Sequence, residues 1–154
     1  MIPSTAPSAL HRGAEELPFV NLVDGVQMQL MQVDLQNGLW IGRFTFEAGT
    51  TVQPHRHTGE VYAYTSAGSW RYLEYPEINT AGSYLFEPAG STHTLHAPAE
   101  NDVVTDVFFV VRGANLNLDE NGKVESIFEA KTALRIYREG CEKLGLPQPH
   151  VIGG

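Results

Sequence analysis

The stretch "GTTVQPHRHTGEVY" (49 to 62) places His55 and His57 on alternate positions, a spacing that suggests chemistry. In an extended strand, residues two apart project to the same face, so the two imidazoles point together while Arg56 points away. Two neutral imidazoles so arranged can chelate one metal ion. A third candidate, His93, follows the tight turn Pro88-Ala89-Gly90 in "GSYLFEPAGSTHTLHAP" (82 to 98). Three histidines on rigid strands would leave coordination positions open for a substrate and for dioxygen or water. Carboxylates are candidate fourth ligands. Glu60 lies three residues past His57, but alternation turns it away from the face that Val61 shares with Ala63 and Thr65. In "SWRYLEY" (69 to 75), Trp70, Tyr72 and Glu74 share a face. If that face is interior, Glu74 needs a cation to offset its desolvation, and a metal supplies one. If it is exterior, Glu74 is an ordinary solvated charge; alternation leaves both readings open. Trp70 and Tyr72, with one face of Val107 to Val111, are the expected apolar wall against a substrate ring. His11, His96 and His150 read as surface groups.

The elements that must position these residues are mostly short alternating segments. "VQMQLMQVDL" (26 to 35) and "LWIGRFTF" (39 to 46) flank Asn37-Gly38, a hairpin turn signal. "VYAYTS" (61 to 66) and "SWRYLEY" meet at Gly68 and are expected to pair with each other. "GSYLFEP" (82 to 88) and "DVVTDVFFVV" (102 to 111) complete the set, and Asn121-Gly122 marks one more hairpin. Such a series predicts an all-β antiparallel sandwich or barrel. After it the period changes. Ser126 and Glu129 in "SIFE" form a capping-box pattern. Ala130, Ala133, Leu134, Tyr137, Cys141 and Leu144 then recur at three- and four-residue steps, predicting a C-terminal α-helix that ends at Gly145 and Pro147.

The chain's 154 residues suit one domain, with an N-terminal arm (1 to 17), a β domain (18 to 125) and a C-terminal helix and tail (126 to 154). A net charge of −8 without a basic run argues against nucleic acid and anionic membrane surfaces as partners. No apolar stretch approaches the roughly 20 residues of a membrane span. The start has no signal-peptide pattern, and the single cysteine, Cys141, cannot form an internal disulfide; both fit a cytoplasmic protein.

Beyond these patterns, residues 49 to 68 resemble the first motif of the cupin superfamily: Gly49, five residues, His55-x-His57 and a closing Gly68. Residues 82 to 93 resemble the second: Gly82, five residues, Pro88-x-Gly90, two residues and His93. The resemblance implies a single-domain cupin, a jelly-roll-like double-sheet β-barrel, with His55, His57 and His93 holding a divalent metal. Counted back from Gly68, the family's usual glutamate falls on Val61, not on Glu60. The segments "HRHTGEVY", "GSWRYLEY", "AGSYLFEPAGSTHTL" and "DVFFVVRGANLNLDENGKV" are further similar to the 2,4'-dihydroxyacetophenone dioxygenase branch, which is related to the acetylacetone-cleaving dioxygenase. That branch implies a non-haem Fe(II) enzyme with a glutamate near the metal, for which Glu74 is the candidate here. It also implies oxidative C–C cleavage of an α-hydroxyketone or β-diketone by O2, yielding a carboxylate and formate from a 2,4'-dihydroxyacetophenone-like substrate. A histidine-rich site also suits Zn, Ni, Mn or Cu. Competing readings are another metal-dependent cupin enzyme (an isomerase, thiol dioxygenase or hydrolase) and a non-catalytic metal-binding sensor module. A homodimer, through barrel edges or the C-terminal segment, is expected.

Overall fold

The computed structural model describes residues 5–154, so the first four residues of the expected N-terminal arm lie outside it. Three strands open the fold: β1 (Val20–Val23), β2 (Val26–Asp34) and β3 (Leu39–Phe46). The histidine pair forms β4 (His55–His57), followed by β5 (Val61–Ala67), β6 (Ser69–Tyr72) and β7 (Asn79–Thr80). Next come β8 (Tyr84–Glu87), β9 (Thr92–His93) and β10 (Leu95–His96). The long β11 (Thr105–Arg112), the hairpin β12 (Asn115–Leu118) and β13 (Val124–Phe128), and the helix α1 (Ala130–Lys143) complete the chain.

A six-stranded sheet, ordered β1-β2-β3-β11-β5-β8, forms one layer; β13-β12-β4-β9 and β10-β6-β7 form the smaller sheets packed with it. The result is an all-β, jelly-roll-like sandwich of separate sheets, not a hydrogen-bonded closed barrel. Strict alternation builds the core. Along β3, Trp40, Phe44 and Phe46 are buried, and along β5 so are Val61, Ala63 and Thr65. Burying each large side chain of this kind is worth about 1.5–3 kcal/mol before chain entropy is counted. Tyr64, on the opposite phase of β5, is half-exposed.

Two expectations about pairing need correction. The strands on either side of Gly68 do not pair: β5 lies between β11 and β8, while β6 pairs with β10 and β7. Gly68 (φ +71°) carries the chain from one sheet to another, passing so near Thr105 that a Cβ there would lie 2.6 Å from the Thr105 Cα. Only glycine combines that left-handed conformation with that approach. Ser126, expected to cap the helix, instead sits within β13 opposite Asn117, whose Nδ2 donates to its Oγ. The Asn121-Gly122 hairpin continues pairing as far as Phe128, and Glu129 becomes the N-cap without a side-chain capping bond. The helix otherwise follows its predicted stripe: Ala130, Ala133, Leu134, Tyr137 and Cys141 are buried, with Leu144 exposed beyond its end. It packs on β1 and β2, and Tyr137 donates its hydroxyl proton to the Pro18 carbonyl.

The terminal segments are tied to each other. The C-terminal tail adds to β2 through Val33 N–H to the Ile152 carbonyl and Ile152 N–H to the Met31 carbonyl. Arg12 Nε donates to the His150 carbonyl, and His150 Nδ1 lies 3.1 Å from Glu16 Oε1. No helix among the described residues is long and apolar enough to cross a membrane.

Candidate metal centre and its cavity

Strand β4 does what its alternation predicts: His55 and His57 are buried and Arg56 is exposed. His93 arrives from β9, whose register sets it directly opposite His55. The connecting turn is fixed by backbone bonds, with Gly90 N–H donating to the His57 carbonyl and His57 N–H to that of Ser91. The three rings therefore gather at one place, with centroids 4.8 Å (His55 to His57), 5.4 Å (His57 to His93) and 6.1 Å (His55 to His93) apart.

The carboxylate at this place is Glu87, which the sequence reading did not single out. It ends β8, pairs across the ladder with Val61, and is only 2% exposed. Val61 is the position to which the motif count assigned the usual glutamate. Cross-strand partners in an antiparallel ladder share a face and have Cβ atoms about 5 Å apart. The carboxyl group has in effect moved one strand sideways. Its Oε2 lies 2.7 Å from His57 Nε2 and 3.6 Å from His93 Nε2, while Oε1 accepts the Tyr72 hydroxyl. The Tyr72 ring also stacks on His93, centroids 4.0 Å apart and planes 14° from parallel.

Electrostatics sort the protonation states. Burial pushes the Glu87 carboxyl up, but the His57 and His93 imidazoles and the Tyr72 hydroxyl outweigh it and hold the group at about 2. Burial, then the neighbouring His57, lowers His55 to about 4, so its imidazole is neutral at physiological pH. Burial and the Glu87 charge raise the Tyr72 hydroxyl well above the ordinary tyrosine value, which keeps it a donor. His55 Nδ1 lies 3.1 Å from the Gln53 carbonyl. A carbonyl only accepts, so the proton sits on Nδ1 and Nε2 is the free ligand atom.

The residues present fit a metal ion. Ligand atoms of His57, Glu87 and His93 lie within 4.8 Å of one another, and all three residues are buried. Both ring nitrogens of His57 and of His93, and Glu87 Oε2, lack a partner in hydrogen-bond geometry. Buried polar atoms left unpaired cost about 1–3 kcal/mol each. Several of them converging on one point is what a cation would relieve.

Other expected participants lie elsewhere. Glu74 is not the carboxylate of this cluster: β6 ends at Tyr72, so alternation no longer applies two residues later. Its oxygens accept the N–H and hydroxyl of Thr94 at 2.8 and 2.7 Å near the surface. Glu60 is exposed and accepts the Tyr62 hydroxyl. Trp70 is fully buried in the core, donating Nε1–H to Thr65 Oγ1, and does not border the cavity described next. His96 is bonded to Thr51 and His150 to Glu16, both away from the cluster.

His55 and His57 form part of the wall of a cavity of about 490 Å³. Tyr72 borders it, as do Phe109 and Val111 from the expected stretch of β11; Trp40, Phe44 and Phe46 add an aromatic wall from β3. A pocket of this size, mostly apolar with a few convergent polar groups, suits a small aromatic or aliphatic ligand.

Residues 9–115 match the family model of the ChrR cupin-like domain. Among curated proteins none matches the sequence. A cupin-fold protein of unknown function from Ralstonia eutropha JMP134 superposes with a TM-score of 0.84 at 29% identity, covering 95% of this chain and 96% of that one. The acetylacetone dioxygenase of Acinetobacter johnsonii gives a TM-score of 0.75 at 19% identity over 91% and 97% of the two chains. The anti-sigma factor ChrR, solved with SigE of Rhodobacter sphaeroides, gives 0.54 at 16% identity, with 70% of each chain covered. At these last two identities the likeness is one of fold.

Proposed function

Since the chain belongs to the ChrR cupin-like family, we propose that it is a metal-dependent enzyme of that fold. The reading we favour is a non-haem Fe(II) dioxygenase that cleaves a C–C bond of an α-hydroxyketone or β-diketone. The observation that supports it is the cavity, an aromatic-walled space bordered by His55 and His57 and of a size for a small ketone. In this reading His55, His57 and His93 would hold the metal, with Glu87 as the adjacent anion. A divalent ion there supplies Lewis acidity to an enolisable ketone and a place for dioxygen.

The chain's own residues do the rest. Gln53 fixes the His55 tautomer so that Nε2 faces inward. Tyr72 holds Glu87 Oε1 by donation and packs against the His93 ring, fixing both groups. Buried and held by the Tyr72 hydroxyl, the Glu87 carboxylate would be an anion suited to balancing the metal's cationic charge. The wall of Trp40, Phe44, Phe46 and Phe109 would take the substrate's apolar body.

The test is anaerobic reconstitution with Fe(II), then oxygen-uptake measurements on 2,4'-dihydroxyacetophenone and acetylacetone. Uptake with a carboxylate product is expected, and a His93→Ala protein should show none. Iron-loaded protein that consumes no oxygen with any α-hydroxyketone or β-diketone would overturn the cleavage reading. Parallel loading with Zn, Ni, Mn and Cu identifies the metal that supports turnover.

A further inference from the structure

The cavity has two unlike sides. Along another side runs the β13-β12-β4-β9 sheet, whose register leads one row of polar side chains away from His55, while the row from His57 passes Asn115 and ends at Phe128. His57 pairs with Asn115 and His55 with Asn117; Asn117 pairs in turn with Ser126. Directly opposed residues of an antiparallel ladder point to one face, so these side chains stand on the face from which the histidines project. Asn115, Asn117 and Ser126 all border the cavity. At about 4.8 Å per strand, Ser126 lies roughly 10 Å from His55. The row leads toward α1, where Thr132 and Arg135 also border the cavity.

These groups are not fully used within the fold. Asn115 Oδ1 is buried without a hydrogen-bond partner. Arg135, its side chain 59% exposed, gives its Nη1 to both oxygens of Glu139 at 3.0 and 3.1 Å in an i,i+4 ion pair, and its Nε and Nη2 are open to solvent or to a ligand. A buried amide oxygen left unpaired costs about 1–3 kcal/mol, which an apolar residue would avoid if this wall served only packing. The protein carries a net charge of −8, so a local cation is the feature that would draw an anionic group to this end of the cavity.

We propose that this polar track selects a substrate bearing a carboxylate at the end away from the histidines, beyond the row that ends at Ser126. Arg135 pairs with that carboxylate, and the Asn117–Ser126 pair orients the body of the molecule. Arg135 is a specificity residue, remote from the reacting atoms. The inference rests on reading the cavity as the substrate site, but not on the reaction performed there.

The probes are 4-acetylbenzoate and acetophenone, which differ by one carboxylate, bound anaerobically to zinc-loaded protein. Trp40, in the cavity wall, reports binding by its fluorescence. The carboxylate probe should bind about two- to fivefold tighter than the neutral one, the range of a partly exposed ion pair. Arg135→Gln should bring the two affinities together, and Arg135→Lys should restore part of the difference. Glu139→Gln, which frees Nη1, should raise affinity for 4-acetylbenzoate alone. Equal affinities in the unaltered protein, failure of both probes to bind, or a preference that survives Arg135→Gln would each overturn the proposal. Oxygen uptake is a separate readout: a carboxylate preference without uptake would fail the dioxygenase reading and leave this one standing.

Discussion

Glu87 and Glu74 separate two ways a carboxylate can come near a histidine cluster. Glu87 projects from a paired strand, with its oxygens turned to His57, His93 and Tyr72. Glu74 lies past a strand end and spends both oxygens on Thr94, the residue after His93. Glu87→Gln should therefore lower metal affinity 10- to 100-fold, the usual range for groups that support a metal site, measured by competition with a chromophoric chelator. Glu74→Gln should leave that affinity within about twofold, since an exposed bond to a neighbouring strand contributes little; a comparable loss in both variants would refute the distinction. Tyr72→Phe keeps the ring on His93 but leaves Glu87 Oε1 without its donor. It should cost the metal-free protein about 1–3 kcal/mol in urea unfolding.

At the scale of elements, two glycines mark where backbones pass too close for a side chain. Gly68 is the crossing from β5 to β6, with positive φ and Thr105 against it. Gly68→Ala should destabilise by more than the ~1–2 kcal/mol of the left-handed conformation alone. Gly140 lies in α1 against β1, where an added Cβ would fall 2.8 Å from the Val20 Cβ. In an open helix, glycine to alanine is worth about 1 kcal/mol of stability. Here the sign should reverse, because Val20 belongs to a fully buried strand position. Urea midpoints of Gly140→Ala against the unaltered protein check this, and a stabilised variant would show that α1 can lift off β1.

For the whole molecule, the metal-free protein should lose stability as pH falls from neutrality, in two overlapping windows. His55 is depressed from 6.5 to about 4, so the unfolded chain takes up a proton first and stability declines between those values. Glu87 is depressed from 4.5 to about 2, so its contribution, present above 4.5, is lost as pH falls toward 2. Each shift corresponds to about 3 kcal/mol at 1.36 kcal/mol per unit. Urea midpoints followed from pH 7 to 3 should fall throughout; a flat profile between 6.5 and 4 would contradict the buried, neutral His55. Burial of His55 and the partners around Glu87 thus make one site a contributor to the acid sensitivity of the fold.

Much of this architecture is written in local pattern. Period-two alternation marked β2, β3 and β5 and their inward residues, since a half-buried strand must alternate. Glycine–histidine spacing marked His55, His57 and His93 because each motif lies within one strand–turn–strand unit. The three- and four-residue stripe marked α1. What alternation within a strand does not carry is which strand lies beside which. Glu87 became part of the cluster only because β8 pairs with β5 at Val61. Glu74 left it because β6 stops short, and Ser126 became a cavity residue instead of a helix cap because the β12–β13 ladder runs on. The sequence by itself determined the class of fold and singled out the three histidines through the spacing within each motif, while the β4–β9 register brings His93 to the other two. Tertiary structure alone decided the carboxylate beside them and the Trp40, Phe44 and Phe46 side of the cavity, because those depend on cross-strand register between segments distant in the chain.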